Sequence, residues 1–526
     1  MKILIVSEFT GLGSTGYSNY YKQIAESLHD AGHHVVELAS YGDCNNPAHV
    51  RYQRRCKWKV ILNVPNKNSP DMKTYDEREK RFGDAKFGAW AFDSICSQEQ
   101  PDVVLAIRDH WYDKFIIDSP ASPYFVTLLS PTVDSRPLKG DWVDTYGRAE
   151  VVTFYTQWSE EWFKVQCKSE NAVGYITSPA SSDYKILDKK TCRAKLGIPQ
   201  NIKLITTVMR NQSRKRFPEL FEAVAKAPGV YLHIHTAYPD KGWDIPNLIL
   251  QNNIQHKTYI TYMCSCGHYE VSLYNGRNPI CNKCKTLRME TSSAKMGISN
   301  SALCEIYGAS DLYVQPASNE GLGIPVLEAA KCGLRVVGTN YSALETVIPN
   351  VGGTLVNPLT LVTDINDGTK KAIIHVEELT KLLNDPETYN YNRRDIAKIY
   401  EENYNWEKTN KKWVELVNTI KPKNKWVNPP AIKQALSFAE LEKLGHDNEK
   451  YLITCILYVA CRPDLLGSYL HTTLLDNLNS SCMMISGPET MVMPIDRKYV
   501  YNRLREIREV TNRWEGQRKA LKKNQN

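Results

Sequence analysis

The sequence predicts an α/β protein with two Rossmann-like domains. Two observations carry that prediction. Short apolar runs that read as buried parallel strands occur in both halves, at 1–6, 34–38, 101–107, 124–129, 203–208 and 334–338. They are set among turns rich in glycine or polar residues and segments of helical periodicity, the pattern of a sheet covered by helices. The length agrees: 526 residues, 42% of them hydrophobic, supply material for two to four domains with real cores.

Run 1–6 is too short for a signal peptide and reads as the opening strand. The loop after it, Gly11 to Tyr17 through Gly13 and Gly16, leads into a helix over about 18–28 and a strand at 34–38. This loop spells G-x-G-x-x-G with an acidic residue about twenty positions on, the dinucleotide fingerprint. Its first glycine, however, lies five residues beyond the strand, where a pyrophosphate-binding turn follows at once. A dehydrogenase is therefore the second enzyme class to weigh, and it leaves the motifs of the other half unexplained.

Residues 52–100 are rich in Lys, Arg, Asp and Asn and exceed the usual length of a connection. They read as a solvated insertion, with Lys57, Lys59, Lys67 and Lys73 available to an anionic partner. Runs 101–107 and 124–129 end in the polar clusters 108–111 and 130–137, and ligands of open α/β sheets bind at such carboxyl ends. Asp134 is the candidate there, weighed against capping of its own turn. For Asp109 and His110 a helix-start role outweighs a catalytic one.

The second half carries two motifs. Run 203–208 leads into Met209-Arg210-Asn211-Gln212-Ser213-Arg214-Lys215-Arg216, then a helical segment at 219–224. This stretch carries cations of the kind a leaving diphosphate needs, because negative charge builds on it as its bond breaks. A basic surface cluster is the plain alternative in a chain with 66 Lys+Arg. About a hundred residues on, Asn319-Glu320-Gly321-Leu322-Gly323-Ile324-Pro325-Val326-Leu327-Glu328 sets two glutamates eight positions apart. The first lies in a glycine-containing turn and the second one turn into a helix that Pro325 suits as an opening residue. Free N–H groups at a helix start attract phosphate, and carboxylates accept hydrogen bonds from hydroxyls. A nucleotide sugar presents both.

This arrangement resembles the E-x7-E motif of retaining GT-B glycosyltransferases of the family 4 type, and Arg210 with Lys215 matches that family's R-x4-K pair. The resemblance covers roughly residues 1–420. It implies a GT-B fold, two Rossmann-like domains facing a central cleft, and transfer of a hexosyl or pentosyl group from a nucleoside-diphosphate sugar to an acceptor hydroxyl with retention. It also implies that Glu320 supports the donor sugar as positive charge develops at the anomeric carbon, and that Glu328 holds the ribose. Arg210, Lys215 and the turn of Gly321, Leu322 and Gly323 would receive the diphosphate, and the Gly16 loop would line the cleft. The leaving phosphate helps deprotonate the acceptor, so no dedicated base is required. Family members often carry a His-Asp pair after the later N-terminal strand. Val133 stands at the histidine position here, which leaves Asp134 to orient the acceptor hydroxyl or the donor sugar. Members use uridine, guanosine and adenosine diphosphates; a UDP-sugar ranks first for this chain.

The resemblance does not predict Cys264-Ser265-Cys266-Gly267-His268, followed after fourteen residues by Cys281-Asn282-Lys283-Cys284. Cys264, Cys266, Cys281 and Cys284 read as a zinc ribbon at 262–290, four thiolates on two hairpin tips in tetrahedral coordination. The first pair is C-x-C, tighter than the usual C-x2-C, and His268 is an alternative ligand. Four protein ligands leave no open position, so the Zn2+ would be structural and supply the folding energy that so small a module lacks.

A net charge of +8 suits a polyanionic partner or an acidic surface. With Arg277, Lys283, Lys285 and Arg288 on a ribbon beside the cleft, the expected acceptor is a hydroxymethylated base in duplex DNA, flipped out of the stack. A glycan, a lipid, a protein and a small polyol compete with it. A non-catalytic zinc-ribbon protein that binds nucleic acid on a transferase scaffold is the remaining class, and the two intact charged motifs argue against it. No apolar run is long enough to span a membrane, and the fourteen cysteines, mostly single, point to reduced thiols and a cytoplasmic setting.

The expected divisions are 1–185 for an N-terminal domain and 186–399 for a nucleotide-sugar domain, with a helix at about 400–420 crossing back onto the first. A Lys- and Pro-rich linker at 421–430 leads to a helical extension at 430–526, with patterns at 438–444, 451–459 and 499–514 and a basic tail. Self-association is the plain expectation for the extension, nucleic-acid contact by the tail the sharper one.

Overall fold

The computed structural model describes residues 1–423 and 426, apart from 13–15, 110–111, 168–169, 286 and 293–296. The extension at 430–526, Gly13 and His110 lie outside the described residues.

Seven strands form the first sheet: β1 (Lys2–Glu8), β2 (His34–Asp43), β3 (Lys59–Val64), β4 (Val103–Arg108), β5 (Val126–Pro131), β6 (Val151–Phe154) and β7 (Ala172–Tyr175). Their order is β3-β2-β1-β4-β5-β6-β7, and every pairing is parallel. Strands buried on both faces need unbroken apolar runs, and β4 and β5 are buried along their whole length.

The second sheet contains β8 (Lys203–Val208), β9 (Val230–His235), β10 (Thr258–Met263), β11 (Tyr269–Leu273), β12 (Glu290–Thr291), β13 (Leu312–Gln315), β14 (Val336–Thr339) and β15 (Thr354–Val356). Its order is β11-β10-β9-β8-β13-β14-β15, with β12 also paired to β10. Only β11 and β12 run antiparallel to their neighbour β10. A separate hairpin, β16 (Pro358–Thr363) and β17 (Lys370–Ile374), reaches from this domain to the first. Its Lys370 N–H donates to the Arg136 carbonyl at 2.6 Å and Lys371 Nζ to Ser135 Oγ at 3.0 Å.

Each sheet reverses its winding once, between β1 and β4 and between β8 and β13. Such switch points open a crevice at the carboxyl ends of the strands. The two crevices face one another, so the expected pair of Rossmann-like domains about a cleft is the observed architecture.

The helix Trp406–Thr419 packs back on the first domain. Its Trp413 Nε1 donates to the Tyr20 hydroxyl at 2.8 Å, and Trp406 Nε1 to the Ala180 carbonyl at 2.8 Å. The stretch read as a linker is bound to that domain where it is described: Lys423 Nζ donates to the Ser122 carbonyl at 2.9 Å, and Trp426 stacks on Tyr124 with ring centroids 4.9 Å apart.

The segment 52–100 is not a solvated excursion. It supplies the edge strand β3, whose Val60 and Leu62 are buried, and the helices Asp71–Phe82 and Phe92–Glu99. The alternation in Lys59-Val60-Ile61-Leu62 carries the strand signal, and the surrounding charge obscures it. Lys57 pairs with Glu26 at 2.7 Å and Lys59 with Glu99 at 2.5 Å, so their charges serve the fold.

Candidate functional site

After β8 the chain makes one 3-10 turn, Ser213–Lys215, and enters the helix Phe217–Ala225. Arg216 closes the turn at φ 45°, a left-handed conformation that costs a side-chain-bearing residue on the order of 1 kcal/mol. That turn aims Arg214 and Lys215 together at Glu320, which follows β13. Lys215 Nζ forms an ion pair with Glu320 Oε1. Arg214 Nη1 donates to Glu320 Oε2 at 2.7 Å and to the Asn319 carbonyl at 2.8 Å. Gln315 Nε2 adds a bond to Glu320 Oε1 at 2.6 Å.

Glu320 is 4% exposed and Lys215 6%. Burial alone would raise the glutamate's pKa; Arg214 and Lys215 overcome it and hold the carboxyl down at about 2. Burial pushes Lys215 down to about 8, and Arg214 beside it pushes the same way, while Glu320 opposes both. Two cations over one carboxylate make this wall locally positive, with Asp134 and Asp109 as the further carboxylates that act on Arg214.

Arg210, the expected partner of Lys215, stands on the rim. It is 55% exposed and pairs with Asp240 at 3.1 Å. Spacing alone selects Arg210; the turn at Arg216, invisible in the sequence, makes Arg214 the cation that meets Glu320.

The Gly321, Leu322, Gly323 turn lines the cleft cavity, which measures about 700 Å³. Gly323 takes φ 80° at the start of the helix Ile324–Lys331. A Cβ on Gly321 would come within 2.1 Å of Thr132 Cγ2, and one on Gly16 within 2.3 Å of Ile324 Cδ1. The two domains thus approach one another closely at both glycines, although at Gly16 the tip of the Ile324 side chain is free to shift. Glu328 sits one turn into the helix and accepts a hydrogen bond from Tyr307 at 2.9 Å. Burial raises its pKa, with Tyr307 and Tyr184 pulling it back. The structure brings Glu328 to these tyrosines, and the cavity wall ends short of it at Pro325.

The opposite wall belongs to the first domain. Tyr17 OH donates to Asp109 Oδ1 at 3.0 Å and lies 2.6 Å from Thr132 Oγ1. Asp109 is pushed up to about 6, by burial first and by nearby Asp134, against the pull of Tyr17 and Arg214. Asp134 Oδ2 accepts from Asn319 Nδ2 at 2.7 Å, a bond between the domains. Asp109, which sequence reasoning ranks below Asp134, therefore lines the cavity beside it. Its place at the end of β4, on the switch point, is the signal that reveals it.

The third side of the cavity has unused polar groups. His235 Nδ1 and Thr236 Oγ1 are buried, line the cavity and have no hydrogen-bond partner among the described residues. Burial pushes the His235 imidazole down to about 4, so it is neutral at pH 7.

The four cysteines converge: Cys264, Cys266, Cys281 and Cys284 place their Sγ atoms within 4.8 Å of one another. Cys264 and Cys284 are 3.7 Å apart and Cys266 and Cys281 3.6 Å. A tetrahedron of thiolates with metal–sulfur bonds of about 2.3 Å has edges of about 3.8 Å, so the donor set fits Zn2+. His268 gives its backbone carbonyl to the Cys264 N–H at 2.8 Å, shaping the first knuckle.

Residues 283–396 match the family described as Glycosyl transferases group 1. A stretch of 62 residues is 39% identical to O-antigen chain mannosyltransferase B of Escherichia coli, spanning 12% of this chain and 14% of that protein. The chain is similar to the solved structure of sucrose-phosphate synthase from Thermosynechococcus elongatus, at 18% identity and a TM-score of 0.56, covering 80% of this chain and 98% of that one. It is similar also to HepE of Anabaena in complex with UDP and glucose, at 14% identity and a TM-score of 0.54, covering 80% and 100%. The fold is GT-B. No helix among the described residues is long and apolar enough to cross a membrane.

Proposed function

We propose that this chain is a retaining glycosyltransferase that moves a sugar from a nucleoside-diphosphate sugar to an acceptor hydroxyl. The family match and the GT-B fold support a group 1 glycosyltransferase. The observation that carries the finer reading is the Arg214–Lys215–Glu320 triad, with Lys215 and Glu320 buried, which sets two cations on one carboxylate at the carboxyl ends of β8 and β13. A diphosphate brings negative charge to this wall, and the cations steady it as the glycosidic bond breaks. Glu320, an anion throughout, faces the positive charge that develops on the sugar. Arg210 joins at the rim, the Gly321–Gly323 turn takes the phosphates, and Glu328, just behind the cavity wall on Tyr307, is the residue assigned to the ribose. Asp109 and Asp134 accept hydrogen bonds from the acceptor or the sugar. The bond from the anomeric carbon to the diphosphate breaks, the acceptor oxygen bonds to that carbon on the same face, and the freed phosphate oxygen takes the acceptor's proton, which gives retention.

A UDP-sugar is the donor of choice, on the likeness to a protein solved with UDP and glucose. The short match to an O-antigen mannosyltransferase favours a glycan hydroxyl as acceptor. The duplex-DNA acceptor is the second reading; the exposed Arg277, Lys283, Lys285 and Arg288 of the ribbon support it. The ribbon itself is read as a structural Zn2+ site, tested by metal content of the purified chain. The function is tested by following nucleoside diphosphate release from a panel of nucleotide sugars, with glycan acceptors or DNA carrying hydroxymethylated bases. Release dependent on the modified DNA selects the second reading, and a folded chain that turns over no donor with any acceptor sinks both.

A further inference from the structure

The loop at 236–243 forms the cavity wall that presents Thr236 and Asp240, next to His235. Three ties hold it. Asp240 pairs with Arg210 at 3.1 Å, an exposed bond worth little on its own. Trp243 exchanges two bonds with the Asn211 side chain, its N–H donating to Oδ1 and its carbonyl accepting from Nδ2, each at 2.8 Å. The third tie comes from the ribbon. Thr291 Oγ1 accepts from the Tyr238 N–H at 3.2 Å and donates to the Tyr238 carbonyl at 3.0 Å.

Thr291 lies on β12, the two-residue strand by which the ribbon returns to the sheet. That strand pairs with the end of β10, Tyr262 opposite Thr291 and Met263 opposite Glu290, and Cys264 follows directly. Ser292, the next residue, lines the cavity. A strand so short has little stability of its own. Its position is set by that pairing, by Met289 buried in the core just before it, and by the preceding hairpin, in which Cys281 N–H donates to the Leu287 carbonyl and Met289 N–H to that of Pro279.

We infer that the cysteine ribbon is a brace for the donor-side wall: metal on the four thiolates fixes β12, and Thr291 transmits that order to the Tyr238 loop. Thr291 is a positioning residue, and the ribbon governs donor affinity without touching the donor. This rests on the donor and metal readings above.

The test uses the full chain, UDP as probe, and hydrogen exchange. In the zinc-loaded protein Thr291→Val weakens UDP binding about tenfold, the scale of two lost hydrogen bonds, with zinc content unchanged. Stripping the metal with a chelator, or by Cys281→Ser with Cys284→Ser, weakens UDP binding comparably and speeds amide exchange over 236–243. Thr291→Val then adds nothing further, because both changes cut the same connection. Loss of zinc that leaves exchange over 236–243 and UDP affinity as they were overturns the brace. So does a purified chain that neither holds nor takes up zinc. If the zinc-loaded protein binds no UDP, the donor reading fails, and the exchange measurement decides the brace alone.

Discussion

The two walls of the cleft handle buried charge in opposite ways. On the second domain Glu320 is met by Arg214 and Lys215 and stays ionised with its pKa near 2. On the first domain Asp109 shares its surroundings with Asp134 and two hydroxyls, and its pKa rises to about 6. One wall is an over-compensated carboxylate built to receive an anion. The other is an under-compensated pair of carboxylates built to receive hydroxyls. A transferase needs both, since its donor carries a diphosphate and its acceptor only oxygen-bound protons.

Breaking the compensated wall has the largest effect. Lys215→Ala and Glu320→Ala each lower kcat by about 10²–10³-fold, read in steady-state kinetics with circular dichroism confirming the fold. Near wild-type turnover in either variant refutes the triad's role. Glu320→Ala also destabilises the protein by about 3–5 kcal/mol, because it leaves buried Lys215 without its carboxylate. Removing each arginine in turn sharpens the assignment. Arg214→Ala follows the triad with about a hundredfold loss, whereas Arg210→Ala raises KM for the donor less than about tenfold. The reverse ranking would return the role to Arg210.

The contact between the walls is next in size. Gly321→Ala costs about 1–3 kcal/mol in kcat/KM by forcing a methyl against Thr132 Cγ2. Thr132→Ser removes that carbon and keeps the hydroxyl beside Tyr17, so the double variant recovers most of the loss. The smallest effect is on stability. Asp109 has a folded pKa above its unfolded value, so the native state binds more protons between pH 3.8 and about 6 and stability falls as pH rises through that window. Asp109→Asn flattens this slope and raises the Tm at pH 7. Glu320 behaves the other way: its contribution is present above pH 4.5 and is lost as pH falls toward 2.

The strands read at 1–6, 34–38, 101–107, 124–129, 203–208 and 334–338 were legible because buried parallel strands leave unbroken apolar runs, as in Lys203–Val208, predicted with the bounds observed, while others, such as Val230–His235 and Leu312–Gln315, were not read. β3 was not, because an edge strand with one wet face shares its composition with a charged loop. In the site, Glu320 and Lys215 stood out by motif spacing. Arg214 did not, since which of two neighbouring cations turns inward depends on one left-handed residue, Arg216. Asp109 lay in plain view at a strand end, but only the facing domain makes that end a cavity wall. The four cysteines were the easiest reading, since thiol spacing reports a local geometry. Their link to the cleft through Thr291 was unreadable, because it joins positions 53 residues apart through one hydroxyl.

The return of the helix Trp406–Thr419 to the first domain sets an order of events during synthesis. The hydrogen bond from Trp413 to Tyr20 joins residues 393 positions apart. At about 5–20 residues per second, roughly 20–80 s separate the emergence of Tyr20 from that of its cover. The first domain therefore leaves the ribosome with one apolar face bare and stays unfinished until the entire second domain has been made. A chain cut short anywhere inside the second domain would leave the Tyr20 face of the first domain without this cover.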